Sequence, residues 1–362
     1  MPPEGTLEPA DVAPVLTAPR PEGTLPPNEP LSGADRIRWF FRWEGALVIA
    51  LFATVLLGAL TSKQFLTASN IFSNISLLYG ELAIMALPMT FIILSGEIDL
   101  SIASILALSS SLVGYLWSNH WPMPLVLACV LLVGLACGAV NGILVTRLGL
   151  PSLAVTIGTK TLYAGMAEII LGPSIITSFP SRYTDIGVNP VPHTFGLLSY
   201  SALIFIVLAV IFGVVLHSTP VGRSIVAIGW NKEAAQFSGI RVKRVKTSLF
   251  MVSGLIGALA GILLTFRLST AESNNGIDLV LPVIAVVLLG GVSIFGGKGS
   301  IVGVVLAVLV YCGLQSALLL TNFNANALEL VTGGLLLLSV LIPNGGELVA
   351  RVRRFYRLRG TA

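Results

Sequence analysis

Few side chains in this sequence have chemistry to offer, and most of those are carboxylates set among apolar residues. Glu81, Glu168, Glu329 and the amine of Lys160 fall in or near long apolar runs, and Glu97, Asp99, Arg267 and Asp278 stand at the ends of such runs. A charge at the centre of a bilayer costs roughly 2.5–3.5 kcal/mol or more, so it persists where it faces an aqueous pathway, pairs, or snorkels to the interface. Arg267, Glu168 and Glu329 lie near enough to run ends for pairing or snorkelling to account for them. Glu81 lies deeper, in the same run as Pro88, which removes a backbone hydrogen bond and permits a break. A broken second span carrying a carboxylate would make a pathway lining. As proton sites, Glu81 and Asp99 would suit an ion-coupled secondary transporter of a small polar solute.

The other chemistries fail on spacing. The stretch GGVSIFGGKGS (290–300) looks like a phosphate-binding loop, whose pattern is G-x-x-x-x-G-K-[ST]. Val292 occupies the place of the first glycine, and Gly299 follows Lys298 where Ser or Thr is required. ATP hydrolysis is therefore not expected of this chain. His120, His193 and His217 have no nucleophile motif beside them, so no catalytic residue is assigned. Cys129, Cys137 and Cys312 lie in apolar runs without CxxC spacing. They read as small buried apolar side chains, with no disulfide framework and no metal or cofactor site.

The elements that hold these groups follow from composition. The chain has 362 residues, 55% hydrophobic and 10% charged, against roughly 25% charged in a soluble domain. A soluble protein could not hide that much apolar surface, so its outside is lipid. No basic patch interleaves with aromatics, which argues against nucleic acid as a partner. A membrane-crossing helix needs about 20 mostly apolar residues. Ten runs meet or approach that length: 44–60, 72–94, 101–118, 123–146, 151–171, 198–216, 247–268, 279–295, 300–320 and 326–343. With the N-terminus inside, most of the 21 basic residues fall in cytoplasmic segments, notably Arg36, Arg38 and Arg42, the 223–246 stretch and the run from Arg351 to Arg359.

The expected fold is thus all-α and polytopic, with about ten transmembrane helices and both termini cytoplasmic. Residues 1–43 read as a disordered, basic tail and not a signal peptide. Residues 44–343 form the transmembrane domain and 344–362 a basic C-terminal tail. GEIDL at 96–100 and GIDL at 276–279 lie five runs apart. An odd separation gives the two halves opposite orientation and points to an inverted 5+5 repeat. Gly134, Gly138 and Gly142 have the small-xxx-small spacing that lets helices pack closely.

One long polar stretch remains, over 217–246, and its heart is GWNKEAAQFSGIRVKRVK (229–246). Asn231 can cap a short helix, and Glu233 in its first turn suits the helix dipole. Ala234 and Ala235 are small, and Gly239 can end the helix in a left-handed conformation. A capped helix with small residues and the apolar Phe237 suits docking by another protein. The basic residues that follow mark the cytoplasmic side and can touch anionic lipid heads.

Here a resemblance becomes specific. GRSIVAIGWNKEAAQFSGI (222–240) resembles the EAA loop of bacterial ABC-importer permeases, with Glu233, Ala234, Ala235 and Gly239 in register. SGEIDLSIASILALS (95–109), GAVNGILVTRLGLPSLAVTIGT (138–159) and LLGGVSIFGGKGSIVG (288–303) resemble motifs of the ribose/branched-chain-amino-acid-type permeases. The IDLS motif favours the sugar branch, with rhamnose or autoinducer-2 type members nearest. The resemblance covers about residues 45–343.

It implies a permease subunit of an ATP-driven importer of a small sugar, in the bacterial cytoplasmic (inner) membrane. It implies that the loop forms a coupling helix for a cytoplasmic ATP-binding subunit, with Arg223, Asn231, Glu233, Ala234, Ala235 and Gly239 as coupling residues. It also implies a second permease subunit, self or paralogue, and an extracytoplasmic solute-binding protein meeting loops such as 172–197. A neutral sugar would be recognised by hydroxyls and amides, so Asn74, Thr90, Ser101 and Asn141, with Glu81 and Asp99, are the pathway candidates. The sequence departs from the family pattern at Glu97 and Ala103, both glycine there, and at Trp230, a glycine before the coupling helix. Trp230 is expected at the membrane interface. The ion-coupled alternative leaves the EAA-like loop unexplained.

Overall fold

The computed structural model describes residues 33–321, together with 330–334 and 337. Among these the chain is helical, and extended pairing is limited to two isolated bridges, Ile176 with Ala271 and Pro190 with Ser199. The helices are α1 (Gly33–Thr61), α2 (Ala68–Asn70, continuing as a π-helical stretch Ile71–Leu77), α3 (Gly80–Leu94), α4 (Ile102–Ser118), α5 (Met123–Thr146), α6 (Ser152–Leu171) and α7 (Ser181–Val188). Then come α8 (Tyr200–Ser218), α9 (Pro220–Trp230), α10 (Lys232–Phe237), α11 (Val242–Leu268), α12 (Val280–Leu289, after a 3-10 turn at Ile277–Leu279) and α13 (Ile301–Leu320).

Each of the first nine apolar runs holds a helix. Of the tenth, only 330–334 and 337 are described, and they are helical. Helix α1 starts at Gly33, inside the segment expected as a tail; residues 1–32 and 344–362 lie outside the described residues. By length and apolarity five helices can cross a membrane: Trp43–Thr61, α5, α8, α11 and α13. The count becomes six if Ala68–Leu77 and Gly80–Leu94, bent by 41°, form one span. That is fewer than the ten runs, for physical reasons. Helix α4 and the helical segment Ile277–Leu289 are shorter than a straight crossing needs. Helix α6 carries Lys160, Glu168 and three threonines among its 20 residues.

The break in the second run lies at Leu78–Tyr79 and not at Pro88. Pro88 sits inside α3, every residue of which is buried. Its missing amide is tolerated because packing on all sides holds the helix together.

Helix α11 organises the rest. Its 27 residues extend about 40 Å at 1.5 Å per residue, and most of its span is buried in protein. Helix α5 lies along one face through the glycine seam expected from its sequence. A Cβ at Gly138 would run into the Phe250 carbonyl oxygen, and one at Gly142 would stand 2.9 Å from the Thr247 Cα. Gly257 and Gly261 open a second face, where the carbonyls of Ile102 and Leu106 bring in α4.

Helix α3 is fastened to α11 at both ends. Arg267 Nε donates to Glu81 Oε1 at 3.1 Å where α3 begins. Lys246 is paired with Glu97 just beyond the end of α3. The two helices therefore run antiparallel. Twenty-one residues separate Lys246 from Arg267, about 30 Å of helix, which is the thickness of a hydrocarbon core. Helices α1 and α8 expose Ile49, Phe52, Val207, Val210 and Val214, an outer surface suited to lipid.

Candidate coupling surface and buried polar network

The polar loop is folded as its capping residues dictate. Thr219 Oγ1 accepts from Gly222 N and Pro220 opens α9. Asn231 is extended, and its Oδ1 accepts from Ala234 N at 2.9 Å, closing the first turn of α10. Glu233 lies in that turn, beside the positive end of the helix dipole. The helix ends at Gly239, φ +83°, where Ile240 N donates to Ala235 O. A side chain there would be strained by the backbone, although space is open around it.

The two alanines have different surroundings. Ala235 is buried against Ile228 and Val242, so its small side chain lets α10 rest on α9 and α11. Ala234 faces solvent with Glu233 and Arg223. Phe237 is 93% exposed. A capped helix thus projects a bare aromatic ring from the basic polar segment 217–246.

A close backbone junction ties this loop to the core. Gly297 N donates to Leu94 O at 2.9 Å, and Gly229 lies so near both that a Cβ there would strike them. Gly96, Gly296 and Gly297 all have left-handed φ, at +77°, +84° and +74°. The stretch that looked like a phosphate loop is therefore a turn pressed between α3 and α9. The Trp230 ring packs beneath the Lys298 ammonium, 4.8 Å from the centroid.

Beyond this junction lies a buried polar network. Asp99 is wholly buried; Oδ1 accepts from Ser101 Oγ at 2.6 Å and Ser101 N at 3.0 Å, and Oδ2 accepts from Ser253 Oγ at 2.7 Å. Asn141 Nδ2 donates to Ser101 Oγ at 2.7 Å, and Tyr163 Oη donates to Cys137 O at 3.0 Å beside Asn141. The turn is pinned further by Ser152 Oγ, which accepts from Ile98 N, and by Thr156 Oγ1, which donates to Ile98 O.

So Asp99, Ser101 and Asn141 form one cluster, while the other pathway candidates lie elsewhere. Thr90 is buried in α3 and donates to Ala86 O. Glu81 is at the opposite end of α3 with Arg267. Asn74 is half-buried and donates to Asn70 Oδ1 at 2.8 Å, beside Ser316. Asp278 is exposed although it belongs to the same Ile-Asp-Leu tripeptide as buried Asp99.

Sequence reasoning did not single out Lys246, Ser253 or Tyr163, whose partners lie far off in the chain. It also missed the hydroxyls of Ser104, Ser109 and Ser111 on α4 and of Thr159 on α6, which are buried without a hydrogen-bond partner. Their signal was present as serines and a threonine inside apolar runs.

The chain as a whole is similar to known proteins. The chain is 34% identical over 330 residues to the L-arabinose ABC transporter permease protein AraH of Azospirillum brasilense, covering 91% of this chain and 94% of the relative. It is 33% identical to the autoinducer 2 import system permease protein LsrD of Yersinia enterocolitica, over 83% of this chain and 91% of the relative. It is 34% identical to the ribose import permease protein RbsC of Haemophilus influenzae, over 82% and 91%. No solved structure matches. Residues 71–340 match the family described as the branched-chain amino acid transport system permease component, and with these relatives in agreement the chain belongs to that family of permeases.

Proposed function

We propose that this chain is the membrane-spanning subunit of an ATP-driven importer of a small sugar in the bacterial cytoplasmic membrane. ATP hydrolysis falls to a separate cytoplasmic subunit that docks on α10. A second permease subunit completes the pathway, and a solute-binding protein delivers sugar at the opposite face. The curated relatives named for arabinose, autoinducer 2 and ribose support the class of solute. The four unpartnered buried hydroxyls of α4 and α6 support a neutral, polyhydroxylated one, because a buried hydroxyl without a partner costs about 1–3 kcal/mol that a sugar could return.

In this reading the remaining apolar helices complete about ten spans in two inverted halves, with both termini cytoplasmic. The antiparallel α3 and α11 support the inversion, since each is followed by a left-handed glycine and an Ile-Asp-Leu sequence near opposite ends of the bundle. Asn74, Glu81, Thr90, Asp99, Ser101 and Asn141 remain the proposed pathway residues. Arg223, Asn231, Glu233, Ala234 and Gly239 shape the docking surface, with Ala235 supporting it from within.

The observation that carries the reading is the exposed Phe237 on a capped helix. Burying one phenylalanine side chain at a partner stabilises by about 1.5–3 kcal/mol, so Phe237→Ala should weaken ATPase binding by about ten- to a hundred-fold. The test is co-purification of the ATP-binding subunit with wild type and variant in mild detergent. Equal retention by both would remove the docking role. Solute uptake that persists without ATP under a proton gradient would replace the importer with the ion-coupled transporter.

A further inference from the structure

The basic residues after α10 surround a cavity of about 630 Å³ between the C-terminal end of α5, the loop after α10 and the first turns of α11. Arg147, Lys232, Arg241, Lys243, Arg244 and Lys246 line it, and Glu97 is its one acidic group. Glu97 is already paired with Lys246. Among the described residues the other five cations have no carboxylate in ion-pairing range. Five like charges around one concavity repel each other, and the positive end of the α11 dipole adds to them. An anion with several oxygens relieves this.

A second groove continues from the cavity. It shares Thr146, Arg147, Lys243 and Arg244 with it and descends between α5 and α11 past Thr247 and Ser248 to Met251. Lys246 lies in the first turn or two of α11, a helix long and apolar enough to cross a membrane. Met251 is five residues further into the span, about 7 Å. A soluble partner could fill the basic cavity but could not follow the groove into hydrocarbon. A molecule with a charged head and an acyl chain fills both.

We propose that this is a binding site for an anionic phospholipid, with its phosphate among Arg147, Lys243 and Arg244 and an acyl chain against Met251. The cavity borders α10 through Lys232, but the proposed contacts at Arg147, Lys243, Arg244 and Met251 are outside the docking helix, and the site does not depend on which solute is carried.

The test uses the full-length permease in nanodiscs of phosphatidylcholine, titrated with phosphatidylglycerol and read by native mass spectrometry and by melting temperature. Separate arms use glycerol 3-phosphate and inorganic phosphate. The variants are Lys243→Ser with Arg244→Ser, and Arg147→Ser alone, all exposed side chains. Phosphatidylglycerol should be retained by wild type about a hundredfold better than phosphatidylcholine, the effect of three interfacial cations. The double variant should lose about thirtyfold of that preference, the effect of two interfacial cations, with unchanged melting in pure phosphatidylcholine. The single variant should lose about fivefold. Equal competition by glycerol 3-phosphate or phosphate would overturn the lipid site in favour of a soluble anion. Unchanged phosphatidylglycerol retention by the double variant would overturn the site outright.

Discussion

The pair Arg267–Glu81 gives the most direct test of how the bundle is held. Glu81 is 1% exposed and Arg267 13%, and their side chains meet at 3.1 Å across 186 residues of sequence. Removing one partner of a buried ion pair leaves an uncompensated charge and costs about 3–5 kcal/mol. Replacing both with apolar side chains of similar volume is often near neutral, because neither charge then has to be desolvated. Arg267→Met should therefore be strongly destabilising, and Glu81→Met with Arg267→Met should recover most of the loss. In a chain of this size each kcal/mol is worth about 2 °C in Tm, so the single variant should fall by about 6–10 °C and the double by about 2 °C. Cys137 and Cys312 are buried, so a thiol-reactive fluorophore reports unfolding in detergent. Single and double variants melting together would refute the idea that this pair fastens α3 to α11.

The seam and the polar network make two smaller predictions in the same assay. Gly138→Val must push α5 from α11, because its Cβ meets the Phe250 carbonyl and the Met251 Cα. Overpacking of this kind costs about 1–3 kcal/mol, or about 2–6 °C, whereas Gly165→Val, with open space around it, should not lower Tm. Ser253→Ala removes one donor to buried Asp99, costing about 1–3 kcal/mol and so about 2–6 °C in Tm. An unchanged melting curve would mean that Ser101 alone satisfies the carboxylate.

What the sequence made legible was whatever depends on neighbours in the chain. The cap at Asn231, the stop at Gly239 and the close seam at Gly134, Gly138 and Gly142 follow from local rules, and each is found where those rules place it. The position of the break in the second run was misread, because a proline breaks a helix only when packing does not support it, and α3 is buried all round. The charged pairs were illegible for another reason. Glu97 lies 149 residues from Lys246, and no periodicity links them. Glu97 stood out as a carboxylate where the resembling family has glycine, and its partner explains how the turn carries the charge. Asp99 and Asp278 share the tripeptide Ile-Asp-Leu, yet one is buried and the other exposed, so a short echo conveys backbone shape without conveying a role.

The same contacts bear on how a docked subunit could act on the core. Helix α10 is not a tethered appendage. It is continuous with α9 through Asn231, and Gly229 on α9 packs directly against the hydrogen-bonded Leu94 carbonyl and Gly297 amide. Leu94 leads directly into the turn that carries Asp99, and Gly297 into α13. On its other side α10 joins α11 through Ile240 and Val242, and α11 supplies Ser253 to Asp99. A displacement of α10 therefore reaches the Asp99 turn by two routes, one through backbone contacts and one through a helix. At Gly229 no side chain intervenes to absorb the motion, and interiors packed at this density shift as units instead of deforming. In the proposed importer, the absence of a Cβ at Gly229 would do for coupling what the cap at Asn231 would do for docking, by fixing the geometry of the surface it belongs to.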